Sequence, residues 1–322
     1  MIELSVKEKT IAFTVITPNY LAHAYAVRGS FLEHNPNHDF IICFIGYEDQ
    51  VLIKKNCSML FIDQLEDDRI KGMIQRYNSF ELSCALKPFF ASHIFTHFTQ
   101  VERLIYLDSD ILVFGQFKKI SEAAIIISPH RTVNVNYLPG LENFSTISLL
   151  RYGVYNAGYF ELLRKPEAFL FLKWWQNLME KYAYSKPDEH LFTDQLWMTA
   201  APSFFDDLFI NKNPGYNVAF WNLLERKVSE KEKSWFVNNE PLVFFHYSKY
   251  HIEEPLKLVY FDHPYLSFTQ FPELKPIFEK YRKSLLEAGY EETKNMAYPF
   301  SFKHAGKKKS WWRKLFLIIF AL

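Results

Sequence analysis

Two carboxylates interrupt a long apolar stretch of this chain. Asp108 and Asp110 stand between the apolar runs 104–107 and 111–114, which predicts a buried strand that ends in an Asp-Ser-Asp segment. In extended backbone, residues i and i+2 point to the same side, roughly 7 Å apart. Carboxylates in apolar surroundings are costly unless a cation meets them. The pattern predicts a divalent-ion site that can hold a diphosphate, although Asp also favours turns and helix caps.

The composition predicts a globular protein. The chain has 322 residues, of which 49% are hydrophobic, enough for one large domain or two small ones. The net charge of +1 gives no overall field that would favour nucleic acid. Cys43, Cys57 and Cys84 lack metal-ligand spacing and are typical of reduced, packed thiols in a cytosolic protein. The first ten residues lack the apolar core of a signal peptide.

Strand and helix patterns alternate along the first half of the chain. Strands are predicted at 11–17, 40–45, 59–62, 104–107, 124–127, 154–163 and 242–247, and helices at 20–34, 80–98, 167–181 and 191–200. Within 80–98, Pro88 should start a helix or kink one. The alternation predicts a parallel sheet with right-handed crossovers, continuing to about residue 250. Such sheets bind ligands beyond the carboxyl ends of their strands.

Three further segments carry polar residues in unusual places. Asn156 and Gly158 lie inside a predicted strand, which indicates either a simple bulge or close approach of a ligand. Asp194 and Gln195 open a helix-like run, where the acid can also be an ordinary cap. His246 ends an apolar strand, where it is either a hydrogen-bonded core residue or a metal ligand.

The order of these motifs resembles that of a known enzyme class. Asn19-Tyr20 after strand one, Leu86-Lys87-Pro88, Asp-x-Asp, Asn-Ala-Gly, Asp-Gln and a strand-end His follow the order seen in glycosyltransferases of the GT-A fold. The resemblance covers about residues 11–250 and is strongest to glycosyltransferase family 8, which includes bacterial lipopolysaccharide glycosyltransferases and glycogenin. A stretch at 213–222 is also similar to a bacterial group of sugar-nucleotide transferases. The resemblance implies a Rossmann-like mixed α/β sheet flanked by helices.

The resemblance also implies roles for individual residues. Asp108, Asp110 and His246 match the metal ligands, and Asp194 and Gln195 match the catalytic pair beside the anomeric carbon. The implied donor-binding residues are Thr17, Asn19, Tyr20, Lys87, Asp108, Ser109, Asn156, Ala157, Gly158 and Lys249, with the Tyr20 ring stacked on uracil. Leu196 departs from the Asp-Gln-Asp common in the family, and Tyr247 and Ser248 replace residues usual after its histidine.

The implied activity is metal-dependent transfer of a sugar from a UDP-sugar to a saccharide or lipid-linked acceptor in surface polysaccharide synthesis, with retained configuration. Two carboxylates with one imidazole suit Mn²⁺ better than Mg²⁺. Two alternatives remain: a sugar nucleotidyltransferase, disfavoured because no Gly-rich basic loop follows the first strand, and an inactive carbohydrate-binding homologue.

The predicted organisation has three parts. Residues 1–250 form the catalytic domain, 251–306 a helical appendix, and 307–322 a basic and apolar tail. The tail carries five basic residues, Trp311 and Trp312, and an apolar end too short to span a bilayer. This composition suits an interfacial anchor, although packing on protein is the alternative. The predicted location is therefore the cytoplasmic face of the plasma membrane.

Overall fold

A computed structural model describes residues 10–51, 57–133, 146–261, 263 and 265–301. The strands are β1 (Thr10–Ile16), β2 (Asp39–Phe44), β3 (Ser58–Phe61), β4 (Arg103–Leu107), β5 (Ile111–Val113), β6 (Ile125–Pro129), β7 (Tyr155–Leu163), β8 (Ser185–Lys186), β9 (Leu191–Phe192), β10 (Leu208–Ile210), β11 (Val228–Lys231), β12 (Ser234–Val237), β13 (Glu240–Pro241) and β14 (Phe244–His246). The helices are α1 (Leu21–His34), α2 (Arg69–Arg76), α3 (Ser79–His97), α4 (Thr146–Tyr152), α5 (Pro166–Tyr182), α6 (Gln195–Met198), α7 (Lys275–Glu287) and α8 (Tyr290–Thr293). Strands β1 to β4, β6 and β7 confirm the predicted segments to within two residues at each end.

The central sheet has the strand order β10-β6-β7-β4-β1-β2-β3. Strands β4, β1, β2 and β3 run parallel to one another, and β10 runs parallel to β6. Strand β7 runs antiparallel to both β4 and β6. The strand alternation alone predicted a parallel sheet, which is wrong for β7; the mixed sheet implied by the family resemblance is confirmed.

The reversal of β7 positions the site. Because β7 runs opposite to β4, its first residues lie beside the carboxyl end of β4, where Leu107 pairs with Tyr159. The backbone N–H of Asp108 then donates to the carbonyl of Gly158 at 2.9 Å. A parallel β7 would carry the Asn-Ala-Gly segment to the opposite edge of the sheet. The strand direction therefore joins two motifs that are far apart in sequence.

Helices cover both faces of the sheet. The buried side chains of α3 and α5 pack on one face, and those of α1 pack on the other. Helix α3 begins with a capping box, in which Asn78 and Glu81 accept hydrogen bonds from each other's backbone N–H. Pro88 lies inside this helix rather than at its start. Burial along most of α3 offsets the cost of that proline.

Two predictions for the second half are wrong. The helix expected at 191–200 is confined to α6, because Thr193 has a left-handed φ of 43° and its N–H donates to the carbonyl of Tyr184. The strand expected at 242–247 is the short β14, which pairs antiparallel with β5. Hence β14 and β5 form a separate two-stranded sheet, and the central sheet does not continue to residue 250.

The segment after β14 packs on the body of the protein. Tyr281 of α7 stacks on Tyr247 with ring centroids 3.9 Å apart, and Ala22 and Ala26 of α1 belong to the same apolar cluster. The tail at 307–322 lies outside the described residues. Within the described ranges, no helix combines the length and apolar character needed to cross a bilayer.

Candidate active site

Asp108, Asp110 and His246 lie together at the carboxyl edge of the sheet. Each offers one ligand atom, and these atoms all lie within 4.8 Å of one another. The Nε2 atom of His246 is 3.0 Å from an Asp110 oxygen and 3.9 Å from an Asp108 oxygen. Two carboxylates and one imidazole are a suitable donor set for a divalent cation. The three residues predicted as metal ligands are therefore brought together.

The short β5–β14 ladder holds these ligands. In its register Ile111 lies opposite His246, and the N–H of Tyr247 donates to the carbonyl of Asp110 at 2.8 Å. The His246 side chain is 4% exposed, whereas the two aspartates are 29% exposed. The carboxylates therefore face the solvent-accessible side of the site, with the imidazole beneath them.

Lys87 of α3 joins the cluster of Asp108, Asp110 and His246 to Asp194, one of the predicted catalytic pair. Its Nζ atom lies 3.0 Å from Asp108 and 2.7 Å from Asp194, and it donates to the carbonyl of Ala157 at 3.0 Å. Of these three contacts, the one to Ala157 is a hydrogen bond, and those to the two carboxylates are ion pairs. The Tyr106 ring lies 4.7 Å from Nζ, and its hydroxyl donates to Asp108 at 2.6 Å. Lys87 thus bridges two acidic residues of the site.

The Asn-Ala-Gly segment lines the site beside the carboxylates. A Cβ on Gly158 would lie 2.5 Å from the His246 ring and 2.7 Å from both Asp108 and Asn156. Only glycine fits this close approach. The Asn156 amide lies within 3.3 Å of the Gln195 side-chain oxygen. Ala157 is buried and contributes its backbone carbonyl to Lys87.

Asp194 and Gln195 stand at the start of α6. The Asp194 side chain is only 3% exposed. The backbone carbonyl of Asp194 accepts a hydrogen bond from the Trp175 indole at 3.2 Å, and Gln195 donates to the carbonyl of Tyr152 at 2.7 Å. These contacts hold the backbone of Asp194 and the side chain of Gln195 to neighbouring elements.

The predicted nucleotide-binding residues follow β1. The Thr17 hydroxyl donates to the Asn19 side-chain oxygen at 2.8 Å. Tyr20 is 42% exposed, and its ring lies 4.9 Å from the ring of His23 at an interplanar angle of 44°. Burial, together with the nearby Asp110 and Asp108, raises the pKa of Tyr20. The phenol therefore lies in the field of the two aspartates.

A cavity of about 530 Å³ opens over the cluster. The predicted residues that line it are Lys87, Asp108, Asp110, Asn156, Gly158, Asp194, Gln195, His246 and Lys249. Thr17, Asn19, Tyr20, Ser109 and Ala157 are not among the residues that line it. Lys249 has a left-handed φ of 66°, and its Nζ lies 5.7 Å from the Tyr260 ring. The volume is within the range of small-molecule sites.

Charge pairing dominates the electrostatics of the cluster. Burial alone would lower the pKa of Lys87, but Asp108 and Asp194 outweigh it and raise that pKa well above its usual value. Burial likewise opposes ionisation of Asp110 and His246, but their mutual attraction lowers the pKa of Asp110 and raises that of His246. A cation bound between the carboxylates would take the place of the proton on Nε2.

Two neighbouring residues were missed by the sequence reasoning. Asn217 and His130 are buried and hydrogen-bond to Asn156. Burial lowers the pKa of His130 to about 4, although its contact with the carbonyl of Val154 acts in the opposite sense. His130 directly follows β6, so the sequence does place a polar residue at a strand end here. Asn217 lies in the 213–222 stretch that carried the second resemblance.

Sequence comparisons find relatives of low identity. No family model matches the chain. The chain is 23% identical over 249 residues to the uncharacterized protein YfnF of Bacillus subtilis (strain 168), covering 74% of this chain and 81% of YfnF. It is 21% identical over 245 residues to the uncharacterized protein YfnD of the same organism, covering 73% of this chain and 76% of YfnD.

Structural comparisons identify the fold. The galactosyltransferase LgtC, solved with donor and acceptor sugar analogues, covers 85% of this chain and 95% of its own, with 14% identity and a TM-score of 0.47. The apo structure of the bifunctional glycosyltransferase WbbM covers 90% of this chain at 13% identity and a TM-score of 0.51. This chain spans 52% of the WbbM chain. The match to WbbM and the mixed seven-stranded sheet show that the chain has the GT-A glycosyltransferase fold.

Proposed function

We propose that this chain is a metal-dependent glycosyltransferase that takes a sugar from a uridine diphosphate sugar. The observation that carries the proposal is the convergence of Asp108, Asp110 and His246 at the mouth of a cavity in a GT-A fold. A diphosphate needs a cation, and these three residues would hold it. Mn²⁺ accepts this mixture of carboxylate and imidazole ligands better than Mg²⁺, which prefers oxygen ligands.

In the proposed reaction, the bond between the sugar C1 and the β-phosphate oxygen breaks, and its electron pair leaves with the diphosphate. A hydroxyl oxygen of the acceptor forms the new bond to C1, and its proton passes to the leaving diphosphate. The bound cation would neutralise charge that builds on the leaving group. The family resemblance implies that configuration at C1 is retained.

The residues of the chain supply orientation and fixed charge. Lys87 would act through Asp108 and Asp194, because its ammonium group is ion-paired with both carboxylates and donates to the carbonyl of Ala157. Asp194 and Gln195 would face the positive charge that develops at C1, with Asn156 orienting the Gln195 amide. Such preorganised groups act more strongly once the site excludes water.

A donor-hydrolysis screen tests the proposal. UDP-, GDP- and dTDP-sugars are incubated with the enzyme and Mn²⁺, and release of nucleoside diphosphate is measured. We expect release from a UDP-sugar, loss of activity in excess chelator, and a loss of more than about a hundredfold in Asp110→Asn, equivalent to ~3 kcal/mol. Asp68→Asn is the matched control, since Asp68 is fully exposed, pairs with Lys71 and does not line the cavity. Full turnover in chelator would contradict the proposal.

The acceptor and location form a further part of the proposal. We propose a saccharide or lipid-linked acceptor and attachment of the enzyme to the cytoplasmic membrane face through the basic residues and tryptophans of 307–322. Each basic residue near anionic lipid adds about 1 kcal/mol, and this part weakens with salt. Co-sedimentation of the 322-residue chain and of a chain of residues 1–306 with anionic vesicles tests it. Equal binding by both chains would leave the tail as a contact to protein.

A further inference from the structure

A chain of side-chain amides connects the metal-ligand histidine to the predicted catalytic pair. The Nδ1 atom of His246 lies 3.2 Å from the side-chain oxygen of Asn217. The Asn217 amide nitrogen donates to the Asn156 oxygen at 3.1 Å, and the Asn156 nitrogen donates to the Gln195 oxygen at 3.3 Å. Hydrogen bonds therefore link four side chains from four separate segments, one after the other.

One backbone N–H group determines which atom donates and which accepts in each hydrogen bond of this side-chain network. The N–H of Gly158 points at the Asn156 side chain at 3.1 Å, and a backbone N–H can only donate. The Asn156 atom it meets must be the oxygen, so the Asn217 atom that shares that oxygen must be the NH₂ group. Asn217 therefore turns its oxygen toward His246. The proton of that contact belongs to Nδ1 of His246, and Nε2 faces the two aspartates.

The contacts that Asn156 makes with His130 and Gln195 are consistent with the same assignment of donors and acceptors. The Asn156 NH₂ group also lies 3.3 Å from Nε2 of His130, which must accept. The remaining ring nitrogen of His130, Nδ1, lies 3.3 Å from the carbonyl of Val154, to which it donates. The Gln195 oxygen accepts from Asn156 while its NH₂ group donates to Tyr152. No assignment among these contacts conflicts with another.

The backbone of Asn217 is itself restrained. Its φ of 54° lies in the left-handed region, which Asn tolerates better than most residues. The Asn222 side chain donates to the carbonyl of Asn217 at 3.0 Å, and the N–H of His246 donates to the carbonyl of Val218 at 2.8 Å. The segment with Asn217 is thus tied to β14, the strand that bears His246.

From this geometry we propose that Asn217 is the positioning residue that sets the ring orientation and tautomer of His246, so that Nε2 is presented to the cation. The inference rests on the proposed function only in requiring that a divalent cation binds at Asp108, Asp110 and His246. Removal of such a supporting contact to a ligand histidine generally costs 10- to 100-fold in metal affinity.

The test measures Mn²⁺ binding by calorimetry for the wild type and three variants. Asn217→Gly removes the amide and keeps the left-handed backbone accessible, and we expect Mn²⁺ to bind 10- to 100-fold more weakly. Asn217→Asp keeps an acceptor for Nδ1 but loses the donor to Asn156, so its affinity should lie between those of Asn217→Gly and the wild type. Asn211→Gly is the matched control, because Asn211 is also buried and its side chain accepts from the N–H of Asn213 instead.

The outcomes separate the two proposals. Absence of Mn²⁺ binding by the wild type would overturn the metal-dependent function and this inference together. Tight binding by the wild type with unchanged binding by Asn217→Gly would overturn this inference alone. A second measurement needs no variant of Asn217: in ¹⁵N-histidine spectra with Mg²⁺ bound, the His246 signal, assigned by its loss in His246→Gln, should show a proton on Nδ1. A bare Nδ1 would refute the proposal.

Discussion

The Nζ atom of Lys87 lies 2.7 Å from a carboxylate oxygen of Asp194, and their side chains are 5% and 3% exposed. Each of these buried charges is stabilised mainly by its partner, because burial removes the water that would otherwise solvate it. The pair therefore links the proposed site to the stability of the fold, because it neutralises an acid beside the cavity and joins α3 to the segment before α6. Its effect on stability can be separated from its effect on activity.

Removal of Lys87 alone should destabilise the protein strongly. Lys87→Met leaves Asp194 buried without a counter-charge, and we expect a loss of about 3–5 kcal/mol in the free energy of unfolding. Lys87→Met combined with Asp194→Asn should recover part of that loss and remain inactive. Chemical denaturation measures both variants. Lys165→Met is the control, since its half-exposed pair with Asp207 should contribute less than about 1 kcal/mol. Equal stability of the single and double variants would contradict this account.

A methyl group on Gly158 should disrupt the cluster. The added Cβ would lie 2.5–2.7 Å from the His246 ring, Asp108 and Asn156, closer than real contacts allow. Each of these neighbours is held by hydrogen bonds, so we expect Gly158→Ala to lower Mn²⁺ affinity at least about tenfold and to cost about 1–3 kcal/mol of stability. Gly29→Ala is the control: its Cβ meets nothing within 4 Å, and alanine there should stabilise α1 by up to about 1 kcal/mol. Calorimetry and thermal unfolding give the two readouts, and unchanged metal affinity would refute the expectation.

Tyr20 should contribute to nucleotide affinity by stacking on the base. Tyr20 is 42% exposed and lies in the field of Asp110 and Asp108. Tyr20→Ala should weaken UDP binding by about 1 kcal/mol or more, a typical value for an aromatic pair. Tyr47→Ala is closely matched, because Tyr47 is 43% exposed and contacts Phe300 instead. Unchanged UDP affinity in Tyr20→Ala, or tighter GDP than UDP binding by the wild type, would count against stacking.

The sequence predicted six of the seven strands of the central sheet and two of the strand-end motifs, because apolar runs ending in polar residues show where a sheet meets solvent. Asp108 at the end of β4 and His246 at the end of β14 both follow this rule. The direction of β7 could not be read, since an apolar run has the same pattern in either direction. Asn217 was missed because its importance comes from contacts with residues 29 and 61 positions away in sequence. Such contacts exist only in the folded chain.

Acidification should destabilise the protein through His130. Its pKa of about 4 lies below the value of about 6.5 for an unfolded histidine, so the unfolded state takes up a proton first as pH falls. The stability that this group contributes is fully present above pH 6.5 and is lost between pH 6.5 and 4, and the loss reaches about 2 kcal/mol at pH 5. Between pH 7 and 5, the unfolding free energy of His130→Gln should therefore fall by about 2 kcal/mol less than that of the wild type.

Urea unfolding at pH 7 and pH 5 measures the difference. His190→Gln, which changes an exposed histidine, serves as the control. The wild type, His130→Gln and the control are compared by the change in unfolding free energy, so the cost of the substitution itself cancels. Because His130 accepts from Asn156 only when Nε2 carries no proton, a charged His130 would also break the link to Asn156. An equal fall in wild type and His130→Gln would show that His130 is already charged in the folded protein at pH 5.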